Sequence, residues 1–275
     1  MRNRFLSILL LPILLTGCSK GQIVSDNSFG VFLGTDSSSI NKLSGYQNVA
    51  IEIQEFTKSD IDKLKENNTS IYAYLSVGSL ENYRPYYDDF KQYTFKEYEN
   101  WEDESWIDVS IASWQSKLNE LATTFKSLGA DGLFLDNFDV YYYASEVSEE
   151  FAEKNYQGCH QILNNLSRLD LKLLINSGTD FLERLDEEND PLIDKVSWYA
   201  QECIFSNIKD YKNNVFSTQN EEDKFYYQSI AKIMKKHSNV LLIEYTRNQS
   251  VISDIQSYCK DNGFHYYITD NVDLK

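Results

Sequence analysis

The sequence GADGLFLDNFD, from Gly129 to Asp139, decides the predicted fold. Its apolar run Leu133–Leu135 follows a glycine and is typical of a strand buried on both faces. Asp136 follows at the carboxyl end of this strand, where parallel α/β barrels carry their catalytic groups. Asp136 could instead cap the next helix. Asp139 could serve as that cap equally well, and the next helical pattern starts only near Ser145, so we favour a functional role for Asp136.

Seven other strand patterns accompany this one, and helical patterns separate most of them. The eight predicted strands are Val31–Gly34, Asn48–Ile53, Ile71–Gly78, Gly132–Asp136, Lys172–Gly178, Lys195–Glu202, Val240–Tyr245 and His265–Asp270. The predicted helices cover residues 59–67, 111–128, 145–169, 180–187, 221–237 and 251–262, and residues 79–108 are predicted to form a long irregular loop of functional importance.

Strand–helix alternation predicts parallel βαβ units, and eight units in a 275-residue chain predict a closed (β/α)8 TIM-like barrel in one domain. An open doubly wound sheet is the alternative fold. That fold usually has a Gly-rich phosphate loop after its first strand, and the chain contains no G-x-G-x-x-G sequence. We therefore predict one barrel domain over residues 29–275.

The first 17 residues are predicted to be a cleaved signal peptide. Arg2 and Arg4 precede the apolar run Phe5–Leu15, which is too short to span a membrane. The sequence Leu-Thr-Gly-Cys that ends at Cys18 resembles a bacterial lipobox, so we expect a lipid on Cys18 and a polar tether over residues 18–28. An ordinary secretory signal is the alternative. The expected location is the bacterial cell envelope, with membrane attachment through this lipid only.

The charge and composition narrow the possible partners. The chain has a net charge of −16, and removal of the two arginines in the signal peptide makes it −18. Such a protein repels nucleic acid and attracts cations, so no nucleic-acid partner is expected and a cationic substrate is favoured. The 20 tyrosines would suit a carbohydrate site, although tyrosine also packs well in strands.

The cysteines and histidines do not indicate a metal site or a cofactor. Cys159, Cys203 and Cys259 lack C-x-x-C spacing and are interpreted as buried thiols, with at most one pair bridged. The three histidines lie in predicted helices or at the start of a strand, so catalysis with a histidine base is poorly supported. No Walker or dinucleotide-binding sequence occurs, and no cofactor is expected.

Carboxylates at strand ends are the remaining candidates for chemistry. Asp136 and Glu202 end strands that are separated by one neighbour, so their side chains can converge at the mouth of the barrel. Two such carboxylates can cleave a glycosidic bond. Glu202 could also be a solvated acid, and Glu244 and Asp270 are interpreted as substrate contacts or structural acids. We expect Asp136 to stay ionised as nucleophile or charge stabiliser, and Glu202 to be the general acid.

Three motifs in sequence order resemble the family-114 glycoside hydrolases, which include endo-α-1,4-polygalactosaminidases. They are YLSVGSLENYR at Tyr74–Arg84, WIDV at Trp106–Val109, and the Gly129–Asp139 segment. The resemblance is clearest over residues 70–145. Two positions depart from the family pattern, since relatives often have aspartate in place of Glu52 and glutamate in place of Ser79.

The resemblance implies a TIM-like barrel that hydrolyses a galactosamine-containing exopolysaccharide, with Asp136 and Glu202 as the catalytic pair. The side chains expected to line the substrate cleft are Tyr74, Tyr83, Arg84, Asn137, Tyr141, Trp198 and Glu244. The competing hypothesis is a lipid-anchored protein that binds carbohydrate on the same barrel without catalysis. Retention of both carboxylates favours the enzyme.

Overall fold

Eight parallel strands surround the centre of the protein in the computed structural model, which describes residues 23–66 and 69–275. A short antiparallel strand joins them to make a nine-stranded sheet. The nine strands are β1 (Val24–Ser25), β2 (Phe29–Phe32), β3 (Asn48–Ile51), β4 (Ser70–Ser76), β5 (Gly132–Asp136), β6 (Lys172–Asn176), β7 (Val196–Glu202), β8 (Asn239–Tyr245) and β9 (His265–Thr269).

The strands β2 to β9 pair in sequence order, and every pair among them is parallel. Strand β9 also lies beside β2, so the sheet curls into a nearly closed barrel. Strand β1 pairs antiparallel with β9 through Val24 and Ser25. The predicted TIM-like α/β barrel in a single domain is confirmed. The signal peptide and Cys18 lie outside the described residues, whereas Val24–Ser25, in the expected tether, belongs to the sheet.

Eight α-helices occur in the described part of the chain, and most of them connect consecutive barrel strands. They are α1 (Lys58–Lys65), α2 (Tyr87–Phe90), α3 (Ala112–Leu128), α4 (Val140–Ser145), α5 (Glu149–Leu166), α6 (Thr179–Glu187), α7 (Glu221–Met234) and α8 (Gln249–Asn262). Short 3-10 helices span Ser37–Leu43, Ile53–Glu55, Lys91–Tyr93 and Pro191–Lys195.

Local sequence explains several of these boundaries. A capping box between Thr57 and Asp60 starts α1, because each side chain accepts a backbone hydrogen bond from the other residue. Gly129 ends α3 with a φ of 113° that favours glycine. The helix expected over residues 145–169 corresponds to α5, which the side chain of Ser148 caps, and the separate short helix α4 precedes it.

The segment from residue 79 to 108 is not irregular, as the sequence had suggested. It contains a three-stranded antiparallel sheet, which we call the outer sheet, formed by Ser79–Glu81, Thr94–Glu97 and Glu104–Ile107. A second addition, the outer hairpin, follows β7 and consists of Ser206–Asp210 and Val215–Thr218. Because these elements follow the carboxyl ends of β4 and β7, they stand around the mouth of the barrel.

Packed side chains fill the barrel interior and its contacts with the helices. Leu133, Phe134 and Leu135 are buried, as expected for a strand covered on both faces. Near the amino ends of the strands, the ring of Phe29 lies 5.0 Å from that of Tyr72 and 5.3 Å from that of Trp198. The barrel is therefore closed by aromatic side chains at one end and carries its polar residues at the other.

Gly78, just before the outer sheet, packs closely against the segment that follows β5. A Cβ atom at Gly78 would lie 2.0 Å from the carbonyl oxygen of Asn137 and 2.6 Å from the Cβ of Val140. We expect Gly78→Ala to destabilise the protein by about 3 kcal/mol, because neither the backbone nor the branched side chain can move freely away. Urea unfolding measures this change.

Gly45→Ala is the matched control for this substitution. Gly45 has a φ of 92° and no atom within 4 Å of the position of an added Cβ, so only the backbone strain of about 1 kcal/mol should appear. Equal destabilisation by the two substitutions would contradict the close approach at Gly78.

Candidate active site

Three neighbouring strands end in polar side chains at the mouth of the barrel. Strand β5 ends at Asp136, β6 at Asn176 and β7 at Glu202. The residue after each of them has a left-handed backbone conformation, with φ values of 66° at Asn137, 55° at Ser177 and 59° at Cys203. A left-handed residue other than glycine costs on the order of 1 kcal/mol, and such strain clusters at functional sites.

The side-chain amide of Asn176 joins the two carboxylates. Its Nδ2 donates a hydrogen bond of 3.0 Å to Oδ1 of Asp136 and one of 2.8 Å to Oε1 of Glu202. The two oxygen atoms can be no farther apart than the sum of these distances. The amide carbonyl oxygen of Asn176 is buried and has no hydrogen-bond partner among the described residues.

Further donors complete the hydrogen bonding of the pair. Asp136 also accepts hydrogen bonds from the backbone N–H of Asn137 (2.9 Å) and the hydroxyl of Tyr74 (3.2 Å). Glu202 accepts one from the hydroxyl of Tyr245 (2.9 Å). Asp136 thus receives three hydrogen bonds and Glu202 receives two, each from groups fixed in the barrel.

Burial favours protonation of both carboxyl groups. Desolvation, followed by the negative charge of Glu202, raises the pKa of Asp136 to about 8. Desolvation also raises the pKa of Glu202, although the hydrogen bonds from Asn176 and Tyr245 oppose it. The expectation that Asp136 stays ionised remains a prediction, because burial beside a second acid opposes ionisation whereas the hydrogen bonds from Asn176 and Asn137 favour it.

The pair lies in a cleft of about 610 Å³ that has a strongly acidic lining. Among its lining residues are nine Asp or Glu side chains but only one Lys side chain. Besides Asp136 and Glu202, these acids are Glu52, Glu81, Glu102, Asp103, Glu104, Asp139 and Asp273. The Lys275 ammonium is already paired with Asp273 at 2.7 Å. The cleft therefore attracts cations.

A buried guanidinium neutralises part of this charge in the wall of the cleft. Arg84 donates to Glu81 at 2.9 and 2.7 Å and to Glu52 at 3.2 and 2.5 Å. The side chains of Arg84 and Glu81 are 11% and 2% exposed, so this is a buried network. Because Arg84 donates its hydrogen bonds to these two acids, it stabilises the wall of the cleft and is not a free cation for a ligand.

Asn137 connects the outer sheet to the carboxylate pair. Its side-chain Nδ2 donates to the hydroxyls of Ser76 and Ser79, and its Oδ1 accepts from the hydroxyl of Tyr98. Ser79 in turn donates to Glu104 at 2.8 Å. Burial and the charge of Glu81 raise the pKa of Glu104 to about 7. The position of Asp136 thus depends on side chains from the outer sheet.

Asp139 and Cys203 lie in the cleft beside the pair. Asp139 precedes α4 but makes no side-chain cap; its carboxylate instead accepts from the backbone N–H of Gly178. Burial raises the pKa of Asp139 to about 6. Cys203 is half-buried, and it and the other two cysteines in the described ranges are free thiols. Asp136 is not a helix cap either, since the hydrogen bonds that it accepts come from Tyr74, Asn137 and Asn176.

The structure brings together most of the residues predicted for the site. Asp136, Glu202, Tyr74, Tyr83 and Asn137 line the cleft, and the Arg84 network lies behind its wall. Tyr141, Trp198 and Glu244 are not among the lining residues.

Each of these three side chains has another place. Tyr141 packs against Tyr156 and accepts a hydrogen bond from Arg184 on the outside of the barrel. Trp198 packs on Phe29 near the opposite end.

Glu244 is a structural acid and not a cleft residue. It is fully buried, and its carboxylate accepts hydrogen bonds from the backbone N–H groups of Phe205 and Ser206 and from the Ser206 hydroxyl. It therefore holds the start of the outer hairpin against β8. Burial raises its pKa to about 7 despite these donors.

Sequence reasoning missed two residues that hold the pair. Asn176 and Tyr245 both lie at the ends of strands that the sequence had predicted, so the rule that selected Asp136 and Glu202 could have selected them too. Tyr98 gave no such signal, because its place depends on the outer sheet. Asp270, which the sequence suggested as a substrate contact or a structural acid, forms an ion pair with Arg247 at 3.0 Å.

The described residues contain neither a candidate metal site nor a candidate membrane span. No cluster of three or more His, Cys, Asp or Glu side chains in residues 23–66 and 69–275 is arranged to hold a metal ion. None of the helices in this part of the chain has both the length and the hydrophobicity needed to cross a membrane.

Solved structures share this fold. The glycoside hydrolase domain of PelA from Pseudomonas aeruginosa superposes with a TM-score of 0.75 at 20% identity, over 91% of this chain and 96% of that one. Ega3 from Aspergillus fumigatus, solved in complex with galactosamine, gives a TM-score of 0.65 at 16% identity, over 90% and 91%.

A more distant likeness is to the α-galactosidase TtGalA from Thermus thermophilus, with a TM-score of 0.55 at 12% identity, over 88% of this chain and 57% of that one. No curated protein sequence matches the chain significantly.

The family comparison covers nearly the whole chain. Residues 18–274 match glycoside-hydrolase family GH114. The match includes the barrel, the outer sheet and the outer hairpin, and so every side chain of the cleft described above except Lys275. The chain therefore belongs to glycoside-hydrolase family GH114 and is a glycoside hydrolase.

Proposed function

We propose that the protein is an endo-acting hydrolase of a galactosamine-containing polysaccharide, with Asp136 and Glu202 as its catalytic carboxylates. The observation that carries this proposal is the Asn176 amide, which holds both carboxylates at the mouth of one cleft. Cleavage of a glycosidic bond requires one protonated and one ionised carboxyl group, and two close carboxyl groups that share a proton can supply both.

The charge of the cleft supports an amino sugar as the substrate. The acids of the lining favour a protonated amine over a neutral or anionic sugar. Ega3, which shares the fold, was solved with galactosamine bound. The cleft extends from the outer sheet to the carboxyl-terminal residues Val272–Lys275, which gives room on both sides of the pair for neighbouring sugars of a polymer.

Hydrogen bonding supports a division of roles within the pair. Asp136 receives more donors than Glu202, so when the two share one proton the proton is better placed on Glu202. Glu202 then has no charge to raise the pKa of Asp136, which ionises more readily. We assign protonation of the glycosidic oxygen to Glu202 and attack on the anomeric carbon to Asp136.

The separation of the pair supports retention of anomeric configuration. The nearest oxygens of the two carboxylates share one hydrogen-bond donor, the Asn176 nitrogen, at 3.0 and 2.8 Å, and this close approach favours direct attack by one carboxylate over an inverting site, which needs room for a water molecule. Asp136 would then form a covalent bond to the sugar, which water hydrolyses with Glu202 acting as base.

We expect Asp136→Asn and Glu202→Gln each to lower kcat on partly deacetylated galactosaminogalactan by about a thousandfold or more, because each removes one of two cooperating groups. Chromatography of the released oligosaccharides measures the rate. Asp88→Asn is the matched control, since this exposed carboxylate lies outside the cleft. Near wild-type hydrolysis by either cleft variant would exclude that residue from catalysis.

We also expect Asp136→Asn to stabilise the folded protein at pH 8. The raised pKa values of Asp136, to about 8, and of Glu202 keep a proton on the folded pair, whereas the unfolded carboxyl groups release their protons near about pH 4. The folded state therefore binds more protons between these values, and its stability falls as pH rises through this window. Asparagine at position 136 cannot ionise, so the variant loses less stability than the wild type as the pH rises.

Melting temperatures at pH 5 and pH 8 measure this effect. Wild type should melt at a lower temperature at pH 8 than at pH 5, and Asp136→Asn should narrow the difference. A variant that melts lower than wild type at pH 8 and unchanged at pH 5 would contradict the burial of an ionisable group at this position.

We further propose that Cys18 carries a lipid that anchors the protein to the bacterial envelope, on the basis of the lipobox-like sequence alone. Cys18→Ala should move the protein from the membrane fraction to the soluble fraction, because no thiol remains for lipid attachment. Ser19→Ala serves as the control. Immunoblots of separated fractions measure the distribution, and membrane retention of Cys18→Ala would disprove the anchor.

A further inference from the structure

The outer sheet and the outer hairpin meet at the mouth of the cleft through two aromatic rings. Trp101 lies between the strands Thr94–Glu97 and Glu104–Ile107, and Tyr211 lies in the turn of the outer hairpin. Their ring centroids are 5.7 Å apart, with an angle of 75° between the ring planes. Both rings line the same cleft as Asp136 and Glu202.

The topology places this contact across the catalytic pair. The outer sheet follows β4 and the outer hairpin follows β7, whereas β5 and β6 lie between those two strands in the barrel. Asp136 and Asn176 end these two intervening strands. A polymer that has its scissile bond at Asp136 and extends along this cleft can therefore reach Trp101 and Tyr211, which line the same cleft.

The exposure of Trp101 is unusual in this protein. Trp106, Trp114 and Trp198 are 1%, 1% and 9% exposed, but Trp101 is 39% exposed. A tryptophan ring removes a large apolar area from water when it is covered, so an open ring in a cleft is a favourable site for a ligand with an apolar face. The axial C–H face of a hexosamine ring is such a surface.

Charged neighbours complete the chemistry of this position. Glu102 and Asp103 follow Trp101 in the same turn, line the cleft and are exposed. Asp103 accepts a hydrogen bond from Asn82, which leaves its second oxygen available to a cationic group. An aromatic face beside two carboxylates suits a sugar with one apolar face and a protonated amine.

We infer that Trp101 and Tyr211 form an aromatic subsite that stacks on a hexosamine unit of the polymer away from the scissile bond. This inference rests on the proposed function, and it adds a determinant of polymer affinity outside the catalytic pair. The alternative is that the two rings only join the outer sheet to the outer hairpin. That role would alter stability and would not respond to substrate length.

Kinetics on substrates of different length separate the two roles. We expect Trp101→Ala to raise KM for the galactosamine polymer by about tenfold, to change kcat much less, and to change KM for a short aryl galactosaminide little. Trp101→Phe should recover part of the affinity, since it restores a ring. Phe225→Ala is the matched control, because Phe225 is 75% exposed and lies outside the cleft lining.

Fluorescence provides a second measurement that does not depend on turnover. In a Glu202→Gln background, polymer binding should shift the tryptophan emission, because Trp101 is the most exposed of the four tryptophans. The shift should be absent when Trp101→Phe is added. Persistence of the same shift in that double variant would place the bound polymer elsewhere and overturn the subsite.

The outcomes for the subsite and for the proposed function are distinct. Polymer hydrolysis by the wild type together with an unchanged KM in Trp101→Ala would overturn the subsite alone. A lower melting temperature in Trp101→Ala with unchanged KM would assign the rings to joining the outer elements. Failure of the wild type to bind or hydrolyse the polymer would overturn the proposed function, and the subsite with it.

Discussion

The Asn176 side chain between Asp136 and Glu202 is the interaction on which the site depends. One amide nitrogen donates to two half-buried carboxylates, which repel each other when both are ionised. In the proposed mechanism the pair shares a proton while both groups stay close, which would give two acids of similar chemistry different roles. The hydroxyls of Tyr74 and Tyr245 donate further hydrogen bonds to Asp136 and Glu202 without adding any charge.

The barrel explains how these three side chains meet. Neighbouring parallel strands bring their carboxyl ends to the same rim, and β5, β6 and β7 are consecutive in the sheet. The left-handed residues after the strands store strain that packing elsewhere must offset. Asn137 then ties the rim to the outer sheet through Ser79 and Tyr98. Folding of the outer sheet and formation of the site are therefore coupled.

Sequence patterns predicted the barrel, because apolar runs and helical periods are local. They also located Asp136 and Glu202, since strand ends can be read from the chain. Glu244 was misplaced because side chains alternate along a strand, so that Tyr245 faces the cleft and Glu244 the opposite side. Trp198 lies four residues before Glu202, on the order of 13 Å down the strand. The contact between Trp101 and Tyr211 joins residues far apart in sequence, and no local pattern indicates it.

A crystal structure of the Glu202→Gln protein with a bound galactosamine oligosaccharide tests the catalytic assignment most directly. We expect the anomeric carbon of one sugar to lie next to a carboxylate oxygen of Asp136, and the glycosidic oxygen to lie within hydrogen-bonding distance of the side chain at position 202. An oligosaccharide bound with every glycosidic bond remote from Asp136 and position 202 would contradict their role as the catalytic pair.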